Sequence, residues 1–374
     1  MIYTVLDAIA TANPPYTGSQ SEAASFMEKV ESLSPSIRKR IPALYDRSGI
    51  DQRYSCVEDY LTDPSRFTFF PQNWSLLPPP TTAERNKKYR EAVIPLAETA
   101  ARRALDAAMI DSGDITHVVA VSCTGFFAPG LDIELVKRLG MRADTQRTLI
   151  GFMGCYAAFN GLRVAHSFCQ SVPGARVLLV CAELCTLHFQ MEDSLENTIV
   201  NALFSDGAAA AVLSSRPEHV AHGKLYYADS HCQLDDDSMA DMTWDIGDTG
   251  FRMGLSSRVP KVIAGAIPSF VDTLLGRNGL TVDEVDFWAI HPGGRAIVEE
   301  VQSVFDLSDD DVFDSLEVLR LFGNMSSPTI LFVLERFLRR HNRAVSTGNA
   351  GLNAGIAVAF GPGLTLEGAL FKRV

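Results

Sequence analysis

The chain has 374 residues, 47% of them hydrophobic and 21% charged, a length and balance that fit two globular domains or one large two-lobed one. Its net charge of -12 and pI of about 5.1 argue against non-specific nucleic-acid binding and against an anionic membrane surface, although a local arginine cluster can still hold an anionic ligand. MIYTVLDAIATANPP lacks the basic start and long apolar stretch of a signal peptide, no apolar run reaches the roughly 20 residues that span a bilayer, and the 7 scattered cysteines read as reduced thiols of a cytoplasmic protein.

Residues 2–10 read as a strand and 91–109 as a helix with alanine-rich faces opposite its charges. HVVAVS (117–122) is a short buried strand, 132–139 a helix, and 147–152 a strand that runs into Gly154-Cys155 before a helix over 157–170. RVLLVCA (176–182) and DGAAAAVL (206–213) are buried strands. The polar segment 214–222 marks a boundary between halves 1–217 and 218–374. In the second half 224–229 and 250–255 are strands, 259–275 a long amphipathic helix, and 287–290 a strand leading to His291. Helices follow over 295–304 and 328–340, and 355–360 with 365–371 form a closing hairpin. Segments 78–80 and the acidic 306–314 read as surface loops. The alternation implies an α/β protein with sheets buried on both faces.

Cys155 is the leading candidate nucleophile. It follows a glycine where a strand ends and a helix begins, so the helix macrodipole is expected to lower its pKa. Cys169 and Cys181, inside a helix and a strand, read as packing residues. Cys181, Cys185, His188, His231 and Cys232 lack the short Cys-x-x-Cys spacing of a zinc site, so no metal is expected. His291 ends a buried strand before Pro-Gly-Gly, where α/β sheets gather reactive groups. Asn324 sits in the turn Gly-Asn-Met-Ser-Ser. A thiol, an imidazole and a carboxamide form a coherent set for thioester chemistry: the thiolate takes the acyl group, and the two N–H donors stabilise a thioester enolate.

ATANPP (10–15), SCTGFFAPG (122–130), GCYAAFNGLRVA (154–165), RVLLVCAEL (176–184) and ALFSDGAAA (202–210) occur in that order in the first half. DTGFRMGLSSRVP (248–260), AIHPGGRAIVEEV (289–301), GNMSSPTILFVLE (323–335) and FGPGLTLEGAL (360–370) follow in the second. Through these strings the chain resembles the type III polyketide synthases, the chalcone-synthase-like branch of the thiolase fold. The resemblance implies two similar βαβ-type halves in a layered α-β-α-β-α core, a homodimer, coenzyme A thioesters as substrates, and no bound cofactor. It implies Cys155, His291 and Asn324 as the catalytic set and Phe204 as the aromatic gate. It also places the coenzyme A entrance at Arg40 and Arg47, with Ala43 where the family has a third basic residue, and Gly293 and Ala296 near the pantetheine arm. Arg38 and Lys39 stand close enough to compensate.

The cavity positions separate subfamilies. Met253 stands for a second gating phenylalanine, Trp244 for a glycine, and Ala128 for the methionine that reaches across the dimer. Cys185 and His188 replace threonines of the cavity wall, with Cys123, Thr124 and Ser326 beside them. CYAAFN, ELCTLHFQ and TWDIGDTGF are most similar to bacterial alkylpyrone and alkylresorcinol synthases. The implied reaction loads a medium- or long-chain acyl-CoA on Cys155, extends it with malonyl-CoA and cyclises it to an alkylpyrone, alkylresorcinol or resorcylic acid. The alternatives are a chalcone-synthase-like enzyme with an aromatic or short starter, an initiating β-ketoacyl synthase, and an inactive partner subunit. GNMSSP and FGPGLT argue against the β-ketoacyl synthase. A biosynthetic thiolase would need a second catalytic cysteine near the C-terminus, and no cysteine follows Cys232.

Overall fold

The computed structural model describes residues 1–346 and 353–373. Strand β1 (Ile2–Ala12) precedes an excursion of β2 (Tyr16–Ser19), α1 (Gln20–Glu28), α2 (Pro35–Arg38), α3 (Ile41–Arg47) and β3 (Gln52–Ser55), in which β2 and β3 pair antiparallel. The long helix α4 (Thr82–Ala108) leads back to the sheet, followed by β4 (His117–Ser122), α5 (Leu131–Arg138) and β5 (Gln146–Gly151). Next come α6 (Ala157–Ser171), β6 (Arg176–Leu184), α7 (Leu195–Leu203) and β7 (Asp206–Pro217). Past the short α8 (Glu218–Ala221), the second half opens with β8 (Leu225–Leu234), the hairpin β9 (Met242–Gly247) and β10 (Gly250–Leu255), and α9 (Val259–Gly276). It closes with β11 (Phe287–Ile290), α10 (Arg295–Phe305), α11 (Asp309–Phe322), α12 (Thr329–Ser346), β12 (Ala354–Gly361) and β13 (Thr365–Arg373).

A nine-stranded sheet of order β11-β12-β13-β8-β1-β7-β6-β4-β5 runs through both halves. Among the described residues its two parts pair at Thr4 opposite Tyr227 and Val5 opposite Tyr226, between β1 and β8. The period-two alternation of strand side chains sorts the core into layers. Val118, Leu178, Val180 and Val212 pack under α4, while their neighbours Val119, Leu179, Cys181 and Leu213 face α6. The same middle layer takes Ile330 and Phe337 of α12 and, from the second half, Phe287, Ala357 and Ala369. Trp288, Ile356 and Leu370 point the other way, onto α9 and α10. The order of layers is therefore α4, first-half strands, α6 with α12, second-half strands, then α9 with α10. Four consecutive alanines, 208–211 of β7, are fully buried and let helices approach that central strand closely from both sides.

Two expectations change. The acidic stretch 306–314 is not one loop: α11 starts at Asp309, with a capping box between Ser308 and Asp311 and three aspartates in its first turn, where the positive helix end favours them. Helix α4 starts at Thr82, nine residues ahead of the apolar pattern, through a Thr81–Glu84 capping box; its first turns bury Arg85 and Tyr89. Helix α9 is long and apolar enough to cross a membrane by length and composition. Here its apolar side, including Ile263, Ile267 and Phe270, packs on β8, β13 and α10.

Candidate active site

The nucleophile turn is built from the backbone upward. Phe152 and Gly154 have φ of 60° and 85°, so the chain between β5 and α6 is wound left-handed just before Cys155. Cys155 is 6% exposed and lies two residues ahead of α6. The side chains of Ser326 and Asn324, carried there by the second half of the chain, stand near enough to its thiol to act against the rise that burial imposes on its pKa.

Asn324 is fixed at every backbone and side-chain atom that can be fixed. Its N–H donates to Leu203 O (3.0 Å), and its carbonyl accepts from Ser205 N (2.8 Å), so the turn docks at the end of α7 beside Phe204. Its Oδ1 accepts the N–H of Ser326 (2.8 Å), a residue held at φ 60°. With Oδ1 occupied, the amide Nδ2 is the group left to face a ligand; one of its protons goes to Gly293 O at 3.2 Å. Gly293 belongs to the loop that His291 begins, and a Cβ there would stand 3.7 Å from His291 Nε2. His291 is 1% exposed, and neither ring nitrogen has a hydrogen-bond partner among the described residues. A buried polar ring left without partners is poised for a group that arrives with substrate.

The pKa expectation for Cys155 is reversed. Burial, the largest effect, pushes its thiol up to about 11, against the lowering influence of Ser326 and Asn324. Burial also pulls His291 down to about 3. A local helix-end argument ignores desolvation, which dominates here. At rest both groups are neutral.

Behind the nucleophile lies a carboxylate that the sequence pattern hid among apolar neighbours. Glu183, fully buried, accepts from Cys123 N (2.8 Å), Thr124 Oγ1 (2.7 Å) and Ser327 Oγ (2.6 Å). Burial raises its pKa and these donors oppose the rise. Gly154 N in turn donates to Cys123 Sγ at 3.0 Å. A charged residue inside the apolar run RVLLVCAEL is the signal that marks it.

A cavity of about 180 Å³ opens beside this cluster. Cys185, His188, Phe204, Trp244 and Met253 line it, together with apolar residues from the excursion after β1, among them Phe26, Met27 and Val57. The sequence reading placed the coenzyme A entrance on that excursion but missed its strands, its helices and its share of the cavity wall. Cys155, His291, Asn324, Cys123, Thr124 and Ser326 do not line the cavity itself, and Ala128 is exposed on the surface. Phe204 lines the cavity and its backbone pairs with Asn324, so it stands between the two regions.

His188 is a fixed wall. Burial pulls its pKa down to about 3; its Nε2 donates to Thr124 O (2.7 Å) and its Nδ1 accepts from Phe251 N (3.0 Å). With both nitrogens committed to backbone it has no capacity for acid–base work or for a metal. Trp244 Nε1 donates to Cys123 O at 3.0 Å, which pins the β9–β10 hairpin over the same turn. Asp206, fully buried behind the lining residue Thr186, accepts from Cys56 N, Thr186 N and Thr186 Oγ1 at 2.7–2.8 Å, and burial raises its pKa to about 6. Asp206→Ala is expected to cost about 2–4 kcal/mol, because two buried backbone amides lose their acceptor; urea unfolding at pH 7 measures it.

Arg40 and Arg47 are exposed and carry no carboxylate partner among the described residues. Gly49, two residues past Arg47, approaches Arg295, which neighbours Ala296: a Cβ on Gly49 would stand 3.2 Å from Arg295 Cδ. The fold thus brings α3 and the start of α10 to one rim, with Gly293 just inside it.

Two family models match the chain: chalcone and stilbene synthases, N-terminal domain, over residues 3–217, and the C-terminal domain over 230–374. The chain is 33% identical over 372 residues to the "Alpha-pyrone synthesis polyketide synthase-like Pks18" of Mycobacterium tuberculosis, covering 99% of this chain and 91% of that protein. Among solved structures it is similar to PKS-I from the brown alga Ectocarpus siliculosus, with TM-score 0.95 and 38% identity over 100% of this chain and 99% of the other. It is also similar to CsyB complexed with CoA-SH, with TM-score 0.84 and 26% identity over 100% of both chains. The nucleophile turn, its asparagine-bearing partner turn and the adjoining cavity are thus set in a chain that belongs to the chalcone and stilbene synthases, the type III polyketide synthases, which are condensing acyltransferases acting on coenzyme A thioesters.

Proposed function

We propose that this enzyme loads a medium- or long-chain fatty acyl group from coenzyme A onto Cys155, extends it with malonyl-CoA and cyclises it to an alkylpyrone, alkylresorcinol or resorcylic acid. The observation that carries the reading is Phe204, which pairs with Asn324 on one side and lines an apolar cavity on the other. That cavity takes an alkyl tail, and its methionines adapt to a flexible chain better than a phenylalanine wall would.

Since burial keeps Cys155 and His291 neutral at rest, the thiolate forms by proton transfer from sulfur to imidazole, which leaves the pair neutral overall. Sγ attacks the thioester carbonyl, the bond from carbonyl carbon to coenzyme A sulfur breaks, and coenzyme A leaves as its thiol with the proton from His291. Malonyl-CoA then loses carbon dioxide, and its electron pair passes to an enolate whose oxygen is held by His291 Nε2–H and Asn324 Nδ2–H. The enolate carbon attacks the acyl-cysteine and displaces the Cys155 thiolate. Arg40 and Arg47, with the backbone near Gly293 and Ala296, receive the coenzyme A. The enzyme acts as a homodimer: β5 is the open edge of the sheet, with Leu149 and Phe152 exposed beside the Ala128 turn.

Product analysis with malonyl-CoA and a ladder of acyl-CoA starters tests the proposal. Turnover that falls as the chain lengthens beyond a few carbons, or that prefers aromatic starters, overturns the fatty-acyl assignment. Trp244→Ala removes a rigid wall and its hydrogen bond to Cys123 O. It is expected to lengthen the preferred starter or product by mass spectrometry; an unchanged profile removes Trp244 from the substrate wall.

A further inference from the structure

One ion pair joins the two halves of the fold behind the nucleophile, its carboxylate buried and its guanidinium side chain 36% exposed. Glu367 of β13 is 1% exposed. It accepts a bidentate pair from Arg163 of α6, Nη1 to Oε2 at 2.9 Å and Nη2 to Oε1 at 2.7 Å. Asn160, one turn earlier on α6, donates to Oε1 at 3.1 Å.

The place of this pair matters more than its strength. Helix α6 begins directly after the nucleophile turn, with Ala157 N bonded to Gly154 O at 3.0 Å. Glu367 lies opposite Ala359 of β12. The preceding residue, Val358, pairs with Ile290 of β11 and accepts the backbone N–H of His291 at 2.8 Å. Glu367 therefore stands where two short paths meet: one runs back along α6 to Cys155, the other crosses β12 to His291. The tip of the same hairpin closes on the nucleophile turn. A Cβ on Gly154 would stand 2.4 Å from Pro362 Cδ, and one on Gly361 would stand 3.4 Å from Cys155 N.

Such a half-exposed pair adds little net stability, because desolvating the carboxylate offsets part of the attraction and solvent screens the guanidinium. A planar fork on a carboxylate, however, accepts one register and resists sliding. We infer that Glu367 and Arg163 are positioning residues that set the height of Cys155 against His291; this rests on the catalytic reading above. Tyr156 and Tyr227 on the middle layer, and His231 and Cys232 on β8, are the other titratable groups that face the carboxylate. Around the Cys155 thiol the corresponding groups are Glu183, Cys123 and Cys185.

The test compares Glu367→Gln, Arg163→Lys and the apolar double variant Arg163→Met/Glu367→Leu with the intact enzyme. Three readouts are taken: melting temperature, the pH profile of Cys155 alkylation by iodoacetamide, and the rate of condensation of an acyl-CoA with malonyl-CoA. The double variant is expected to melt close to the parent, to keep its KM for acyl-CoA within about twofold, and to condense roughly tenfold to a hundredfold more slowly. Its alkylation profile is expected to shift to higher pH. A folded variant with parental turnover and parental alkylation profile overturns the inference, and Arg163→Lys decides in the same way if the others fail to fold. Failure of acyl-CoA of any chain length to acylate Cys155 in the parent enzyme sinks the catalytic reading itself, and the inference with it.

Discussion

Cys155→Ala is expected to give a folded protein that makes no product and carries no acyl adduct after incubation with an acyl-CoA. The side chain is small and buried, so its loss leaves the turn in place, while Gly154 N keeps its contact with Cys123. No other cysteine is placed to substitute: burial raises Cys123 and Cys185 well above the usual thiol range, and neither meets both Ser326 and Asn324. The same sulfur gives a pH test of its partner. Burial alone holds the thiol near 11 and the imidazole near 3, which favours the neutral pair; on the mechanism proposed above, thiolate forms at neutral pH only as the proton moves to His291. In His291→Gln the thiol keeps its raised pKa, so alkylation at pH 7 should fall about a hundredfold or more and recover steadily as pH climbs toward 11. Parental alkylation at pH 7 in that variant would show that the imidazole does not activate the sulfur.

Asn324→Asp is expected to slow malonyl decarboxylation by about 10²–10³-fold while acyl loading of Cys155 changes far less. The substitution keeps an oxygen for Ser326 N and removes the amide donor that the proposed mechanism directs at the thioester oxygen. Loading needs the thiolate and decarboxylation needs the enolate, so a single missing donor should separate them. Intact-mass measurement of the acyl-enzyme and release of labelled carbon dioxide report the two steps independently. Equal loss in both would mean that the asparagine merely braces the turn through Leu203, Ser205 and Gly293.

Much of this was legible in the chain. Apolar β-branched runs such as HVVAVS and RVLLVCA have one stable home, a strand covered on both faces, and the structure places them there. The start of α4 was hidden because Arg85 and Tyr89 are buried polar residues: Arg85 Nε bonds Pro80 O and its Nη1 bonds Phe189 O, contacts no periodicity can announce. Ser308-Asp309-Asp310-Asp311 looked like a solvated acidic loop, yet it is a capping box with its charges at the helix end that favours them. The three reactive groups were visible as types at turns, but their burial was not. Desolvation belongs to the assembled fold, and it inverted the expected pKa of Cys155. The cavity wall from the excursion after β1 was unreadable for a similar reason: Phe26, Met27 and Val57 look like any small core until β2 and β3 fold them against α7.

The continuous sheet and the helix layer shared by both halves have a kinetic consequence. One sheet and one helix layer tie the two halves together, so on the proposed mechanism successive thioesters are expected to use one entrance in turn, each spent carrier leaving before the next is admitted. Ping-pong patterns and a turnover that slackens as solvent viscosity rises are the signature of such a one-door workshop.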